Sequence, residues 1–558
     1  MKKNNVKYVG ILALIAVVLF VGIFGGLTLM SNKNSTENAG KRLSRMTAKI
    51  KAQELELTKG TVELSKSDLA DELPDISKYP LGLEGNGEIN LEIFSSPEKA
   101  GEGTDGWLLE VGKKFNQQNI QIDGKKVTVS IRSISSGTAN DYIVSGKYVP
   151  DAFTPSNTLW GSMMEAQGVQ VEMAEERLAG NVAGILLSDK AEKKVKEKYK
   201  KVNLQTVVKA TEENVISMGY TNPFYSSTGL NFLLETLYSA DKNDILSDKA
   251  VSDFGNFQKN VPFVAYTTVQ MREAADSGSL DGMIMEYQIY ANDKALQKYT
   301  FVPFGVRHDN PLYAIGALSD EKRQALQKFA EFCKNKDSQK IASDYGFNKE
   351  DSYKSKLPEF KGEDIIEAQK LWKENKDGGN TITAVFVADI SGSMDGEPIN
   401  ELKNSLINAG QYINEENSIG LVSFNSDVYV NLPVGKFDLN QRAYFNGAVN
   451  KLTAVGGTAT YDGITVATDM LVKAKEADPT TKPVLFLLSD GQKNIGYDLD
   501  DVKSILEAYQ IPVYSIAYGD NTDMNELKAV SSINEATVID ADSDDVVYKL
   551  KNLFNAQM

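Results

Sequence analysis

The sequence has 558 residues, 42% of them apolar, with a formal net charge of −16, one cysteine and one histidine. That length exceeds a single core and predicts two or three domains, while the acidic balance excludes nucleic acid and anionic lipid as main partners and otherwise keeps the chain soluble. The lone Cys333 excludes an intramolecular disulfide, and the lone His308 excludes most zinc sites and histidine-based triads.

Lys2, Lys3 and Lys7 precede residues 8–30, a stretch without charge and almost wholly apolar. At ~1.5 Å per residue this crosses a bilayer core of about 30 Å. The leading lysines favour residues 1–7 in the cytoplasm, although Lys33, Lys41, Arg42 and Arg45 follow the span. The stretch is long for a cleaved signal peptide, and neither an Ala-x-Ala site nor a cysteine for lipid attachment follows it. The expectation is a single-pass signal anchor in the cell membrane, with the bulk of the chain extracellular. Residues 31–84 are polar, with a helical stretch at Met46–Glu56 and then Pro74 and Pro80; they read as a stalk.

From residue 85 to 350 strand and helix patterns alternate. Ile89–Phe94 reads as a strand ending in Ser95-Ser96-Pro97, and Trp107, Leu108, Val111 and Phe115 have helical spacing. Val127–Ile134 ends in Ser135-Ser136-Gly137-Thr138, and Asp151-Ala152-Phe153 leads into Thr154-Pro155-Ser156-Asn157. Val215–Tyr220 precedes Thr221-Asn222-Pro223-Phe224-Tyr225-Ser226-Ser227-Thr228-Gly229-Leu230, which opens a helix on Leu230, Leu233, Leu234 and Leu237. Gly282–Tyr287 is a further short strand carrying Glu286, either a cleft carboxylate or half of a structural pair. Cys333 falls in the amphipathic pattern of Ala325, Leu326, Phe329 and Ala330, which assigns it to a core rather than to chemistry.

Strands that end in small hydroxyl residues at helix starts offer free N–H groups to polar ligands, though at any one position Ser or Thr also serves as a plain cap. This segment, above all Thr221-Asn222-Pro223 through Gly229-Leu230, resembles the extracellular solute-binding fold of the sulfate, molybdate and phosphate type. The resemblance implies two α/β lobes joined by crossover strands, with a small anionic or polar solute in the hinge cleft. The positions expected to face that cleft are Ser95, Ser96, Ser135, Ser136, Ser156, Ser227 and Thr228, while Tyr220 and Tyr225 are packing residues or cleft liners. Residues 351–380, charged, with a short helical pattern around Ile365–Trp372 and ending in Lys376-Asp377-Gly378-Gly379-Asn380, read as a linker.

From 381 to 558 apolar strand runs at Ile382–Asp389, Ile419–Phe424, Val484–Leu488, Pro512–Tyr518 and Thr537–Ile539 alternate with amphipathic helices, the clearest over 398–413. Near-continuous apolar strands between helices predict a mostly parallel sheet covered on both faces, with ligands at the carboxyl ends of its strands. Asp389, Ser391 and Ser393 stand at one such end, and Leu487-Leu488-Ser489-Asp490-Gly491 closes another. Gly456-Gly457-Thr458 adds a hydroxyl between them. Oxygen donors gathered this way suit a hard divalent cation.

The set resembles the metal-ion-dependent adhesion site of von Willebrand factor A domains. That resemblance implies Ser391, Ser393 and Thr458 as hydroxyl ligands and Asp389 and Asp490 as ligands directly or through water. Mg²⁺ is the expected ion, with Mn²⁺ and Ca²⁺ as alternatives, and an acidic residue of a protein partner would complete its shell. The glycine pairs 378–379 and 456–457 lack the Lys-Ser/Thr of a nucleotide loop. The expected architecture is thus α/β, with an N-terminal transmembrane helix, a bilobed periplasmic-binding-like domain and a doubly wound parallel-sheet (Rossmann-like) von Willebrand factor A domain. The leading functional expectation is a membrane-anchored extracytoplasmic recognition protein without enzymatic activity. Solute capture for uptake or signalling, with the metal domain as a docking module, comes second, and metal-dependent hydrolysis last, because no His or Lys base is indicated beside the site.

Overall fold

Two separate sets of strands organise the chain in the computed structural model, which describes residues 36–62, 68–262, 264–265, 268, 271–272, 280–376, 378, 380–519, 522–534, 536, 538–541 and 546–557. The expected anchor over 8–30 lies outside the described residues. Among those described, no helix is long and apolar enough to cross a membrane. The chain divides into two compact units. One holds the described residues up to Val62 with Ile382–Lys403 and Glu415–Ala541; the other holds those of Glu63–Thr381, Asn404–Asn414 and Asp542–Met558.

The larger unit has two sheets. In the first the strands run in the order Leu81–Leu83, Lys125–Ser133, Ile89–Ser95, Ala152–Thr154, Leu312–Ile315 and Val171–Glu175, with Gln121–Ile122 paired to Lys125–Ser133. In the second the order is Val264–Ala265, Met218–Thr221, Gly282–Glu286, Val182–Ser188 and Tyr299–Arg307. The chain leaves the first sheet after Val171–Glu175 and returns after Tyr299–Arg307. These two crossings make two lobes, as the solute-binding resemblance implies. Ile89–Ser95 pairs in parallel with both Lys125–Ser133 and Ala152–Thr154, so three consecutive βα turns open on one edge of the sheet. Cys333 is buried with Ala325, Leu326, Phe329 and Ala330, and burial raises its thiol well above the usual range.

Residues 351–380 are not a free linker. The helix Gly362–Asn375 buries Ile365, Ala368 and Trp372 in the same core as Tyr220, Phe232 and Phe257. Trp372 Nε1 donates to Tyr220 Oη at 2.7 Å, and Gln369 Nε2 donates to the Pro223 carbonyl at 2.8 Å. The charged face that suggested a linker is the helix's solvent side, and the short helical pattern around Ile365–Trp372 is its buried stripe.

The smaller unit is one seven-stranded sheet, in the order Gln53–Glu54, Val428–Lys436, Ser418–Phe424, Ile382–Asp389, Lys482–Ser489, Val513–Tyr518 and Val538–Ala541. Every pairing is parallel except that of Ser418–Phe424 with Val428–Lys436. Ile382–Asp389 is central and buried along its whole length, which explains its unbroken apolar run. The strand Val428–Lys436 escaped the sequence reading because Asn431 and Pro433 interrupt its pattern. Proline is tolerated near a sheet edge, where a ladder donor is dispensable.

The expected stalk over 31–84 is corrected at both ends. The helix over 36–50 sets Ala39, Leu43 and Met46, spaced four and three apart, into the core of the smaller unit beside Val385, Val422 and Leu506. Arg42 then pairs with Asp501 at 3.0 Å, and Gln53–Glu54 extends the sheet in parallel to Val428–Lys436. The backbone of Thr58 lies so close to Gly447 that a Cβ there would sit 1.9 Å from the Thr58 carbonyl oxygen. At the other end, Leu81–Leu83 is an edge strand of the first lobe, and Pro74 accepts a hydrogen bond from Tyr142 Oη. Leu43→Ala is therefore expected to destabilise the smaller unit by roughly 2–5 kcal/mol in urea denaturation, where a solvated stalk residue would give no change.

Candidate functional site

Asp389 ends the central strand of the smaller unit, and Ser489-Asp490 ends its parallel neighbour, so sheet register alone brings the two carboxylates to adjacent strand ends. Asp389 is fully buried, and Asp490 is 5% exposed. The Asp389 carboxylate accepts from the Ser391 backbone N–H at 2.8 Å, which folds the loop back over the strand end, and from Ser489 Oγ at 2.6 Å. Ser391 Oγ and Ser393 Oγ lie 3.0 Å apart.

The second loop is tied to the first by the Gly392 N–H, which donates to the Gly456 carbonyl at 3.0 Å. Gly456 has φ +88°, a conformation only glycine adopts cheaply. Thr458 is buried and clamped by Asn494, whose side-chain oxygen accepts from the Thr458 N–H at 2.9 Å and whose own N–H donates to the Thr458 carbonyl. Sequence reasoning missed Asn494 and gave Ser489 no role beyond its place in the strand-end run. Asn494 has no motif spacing of its own; Ser489, which also accepts from the Gly491 N–H at 3.0 Å, stood inside the motif.

Burial pushes the Asp389 carboxyl up to about 6, and the neighbouring Asp490 charge pushes the same way, against hydrogen bonds from Ser391 and Ser489 that lower it. Two carboxylates crowded out of water, with the Ser391 and Ser393 hydroxyls on the loop after Asp389 and Thr458 on the loop tied to it, make an all-oxygen set of side chains whose unfavourable charge a divalent cation would offset; the residues fit such an ion. Among the described residues no group of three or more His, Cys, Asp or Glu side chains is placed to hold a metal, so a metal here depends on the hydroxyls. Val455 and Ile495, both exposed, flank the site: the Val455 N–H bonds to the Ile390 carbonyl and the Ile495 N–H to that of Thr458.

In the larger unit the seven predicted cleft positions divide. Ser95 and Ser135 are spent locally: Ser95 Oγ reaches the Ser96 carbonyl, and Ser135 caps the helix Ser136–Ser145 by accepting from the Thr138 N–H. Ser96 Oγ lies 3.2 Å from Ser156 Oγ and accepts from Lys99 Nζ at 2.8 Å. Ser227 Oγ bonds across the lobes to Ser136 Oγ at 3.1 Å and accepts from Trp160 Nε1 at 2.9 Å. Thr228 Oγ1 donates to Glu286, which also takes Asn181 Nδ2 at 2.7 Å and lies 3.0 Å from His308 Nδ1. The lobes approach so closely that a Cβ on Gly137 would meet the Phe224 carbonyl oxygen at 1.9 Å. His308, Asn157 and Lys99, all buried here, were not singled out for the cleft. Asn157 and Lys99 lie in or just beyond the strand-end runs that carry Ser156 and Ser96, His308 has no such neighbour, and only the fold assembles the three.

These two arrangements agree with the sequence comparisons. Residues 384–556 match the family described as von Willebrand factor type A domain, and residues 100–348 match that described as bacterial extracellular solute-binding protein. The chain thus joins a solute-binding-protein-like region to a von Willebrand factor A region. An uncharacterised Synechocystis protein, sll0103, is 26% identical over 149 residues, covering 26% of this chain and 34% of that protein. Inter-alpha-trypsin inhibitor heavy chain H1 of Mesocricetus auratus is 27% identical over 162 residues, covering 27% of this chain and 17% of its own. The match therefore spans about a third or less of either relative's length. Among solved structures, the sulfate-binding protein SubI of Mycobacterium tuberculosis H37Rv aligns with 17% identity and a TM-score of 0.34, over 47% of this chain and 88% of that one.

Proposed function

We propose that the protein is a membrane-anchored, extracytoplasmic recognition protein. Its C-terminal unit binds a carboxylate of a protein partner through a divalent cation, Mg²⁺ by preference, held by Asp389, Ser391, Ser393, Thr458 and Asp490. Its bilobed unit senses or presents a solute. The observation that carries this reading is the pair of buried carboxylates at adjacent parallel strand ends, with neutral hydroxyls as the other donors. Hydroxyl ligands leave most of the cation's charge uncancelled, so an outside carboxylate gains more there than at an all-carboxylate site. The exposed Val455 and Ile495 supply apolar area for the residues on either side of that carboxylate. The anchor rests on the composition of residues 8–30.

The test is binding of the full chain to immobilised aspartate-containing peptides in Mg²⁺ and in EDTA, with Asp490→Ala alongside. Capture is expected in Mg²⁺ only and from the wild type only. Capture that survives both EDTA and the substitution refutes a metal-bridged contact. A second reading, solute capture with the C-terminal unit as docking module, draws on the two-lobed topology with its polar groups gathered between the lobes.

A further inference from the structure

Between the lobes lies a cluster of ionisable groups of which the sequence reading offered only Glu286 as a cleft carboxylate. Glu98 and Lys99 sit side by side in the short helix Pro97–Ala100 of the first lobe, and Glu286 ends a strand of the second. His308 follows the strand Tyr299–Arg307 just before the chain returns to the first lobe. All four are buried, Glu98 the least so at 8% exposure.

Their hydrogen bonding is unequal. Glu286 is satisfied at both oxygens by Asn181, Thr228 and His308, and His308 Nε2 lies 3.1 Å from both Asn157 Nδ2 and Asn231 Nδ2. Lys99 Nζ donates to Ser96 Oγ. Glu98 differs. Its Oε1 accepts from Thr268 Oγ1 at 2.9 Å, but its Oε2 is buried with no hydrogen-bond partner among the described residues. Gln288 Oε1, two residues beyond Glu286, is a second buried acceptor without a donor. A buried carboxylate oxygen left unpaired is costly, and such a group is an acceptor waiting for a donor.

Glu98 also lines a cavity of ≈ 10 Å³ with Ser136, Tyr225 and Ser227, roughly the size that one water-sized group needs. Pro97 and Ser135, both partly exposed, line its outer side. An ammonium head has about that size and brings three donors. The charges point the same way. Glu286 has His308 beside it at 3.0 Å, whereas Lys99 is the cation whose charge acts on Glu98. Burial pushes Glu98 upward, with the Glu286 charge adding to it, and pushes Lys99 down to about 8. A further negative group placed beside Glu98 would add to that repulsion, and a positive one would relieve it.

We propose that the interlobe cleft takes a small organic cation through its ammonium group, with Glu98 as counter-ion, and does not take an oxyanion. This rests on the reading of the bilobed unit as a solute-binding one. Lys99 acts within the site as a tethered competitor, because its ammonium shares the carboxylates that the solute would use.

The experiment is titration calorimetry of the full chain with methylammonium and putrescine, and with sulfate, molybdate and phosphate. Wild type, Glu98→Gln and Lys99→Met are compared. Amine binding without oxyanion binding is expected. Glu98→Gln, which keeps the shape and the acceptor for Thr268, should weaken the amine at least tenfold, and Lys99→Met should tighten it. Oxyanion binding without amine binding overturns the proposal while leaving a solute-binding cleft in place. Amine binding that is the same in Glu98→Gln and Lys99→Met as in wild type overturns the role of Glu98. Binding of neither class overturns the solute reading and the proposal together.

Discussion

Mg²⁺ is expected to raise the unfolding midpoint of the wild-type smaller unit and to leave that of Asp389→Ala where it stands without metal. A ligand that binds only the folded state stabilises it by about 2.7 kcal/mol at a hundredfold excess over its dissociation constant, so a metal titration followed by calorimetry reads the site directly. The variant isolates binding from folding for a physical reason. Asp389 is a fully buried carboxylate whose ionised form is disfavoured by burial and by Asp490. Removing it relieves that charge and costs the two hydrogen bonds it accepts from Ser391 and Ser489. These effects oppose each other, so the metal-free variant should unfold near the metal-free wild type. A variant that still shows the full Mg²⁺-dependent increase would place the cation elsewhere.

Trp372→Ala is expected to lower the stability of the bilobed unit by roughly 3–5 kcal/mol in urea denaturation. Trp372 is fully buried against Phe224, with ring centroids 5.8 Å apart. Its indole N–H donates to Tyr220 Oη, which in turn donates to Gln258 Oε1 at 2.6 Å. The substitution opens a cavity and removes one bond of a buried relay. An unchanged midpoint would show that the helix Gly362–Asn375 is dispensable to the unit, as a linker would be.

The parallel sheet was legible because its strands are buried on both faces and read as unbroken apolar runs. The pair of carboxylates at adjacent strand ends was legible for a related reason. Asp389 and Asp490 are polar interruptions at the ends of such runs, and a polar residue there needs a structural or chemical cause. Residues 36–62 and 362–375 were misread because each shows the solvent more charge than the core apolar area. Leu43 and Trp372 reveal their roles only once the surface that receives them exists. The seven hydroxyls were found as residues, yet Ser95 and Ser135 proved to be local bonds and caps. Strand-end position distinguishes a cap from a cleft group only when the opposing lobe is in place.

By itself the sequence determined the class of each unit and the oxygen-bearing residues at the two strand ends, because periodicity and motif spacing are local and survive without knowledge of the fold. Tertiary structure alone decided which distant groups meet. It brought Ser136 to Ser227 across two lobes and set Glu286 against His308. It also left one oxygen of Glu98 without a donor among the described residues. Burial and pairing are properties of a neighbourhood, and residues far apart in the chain acquire a neighbourhood only when it folds.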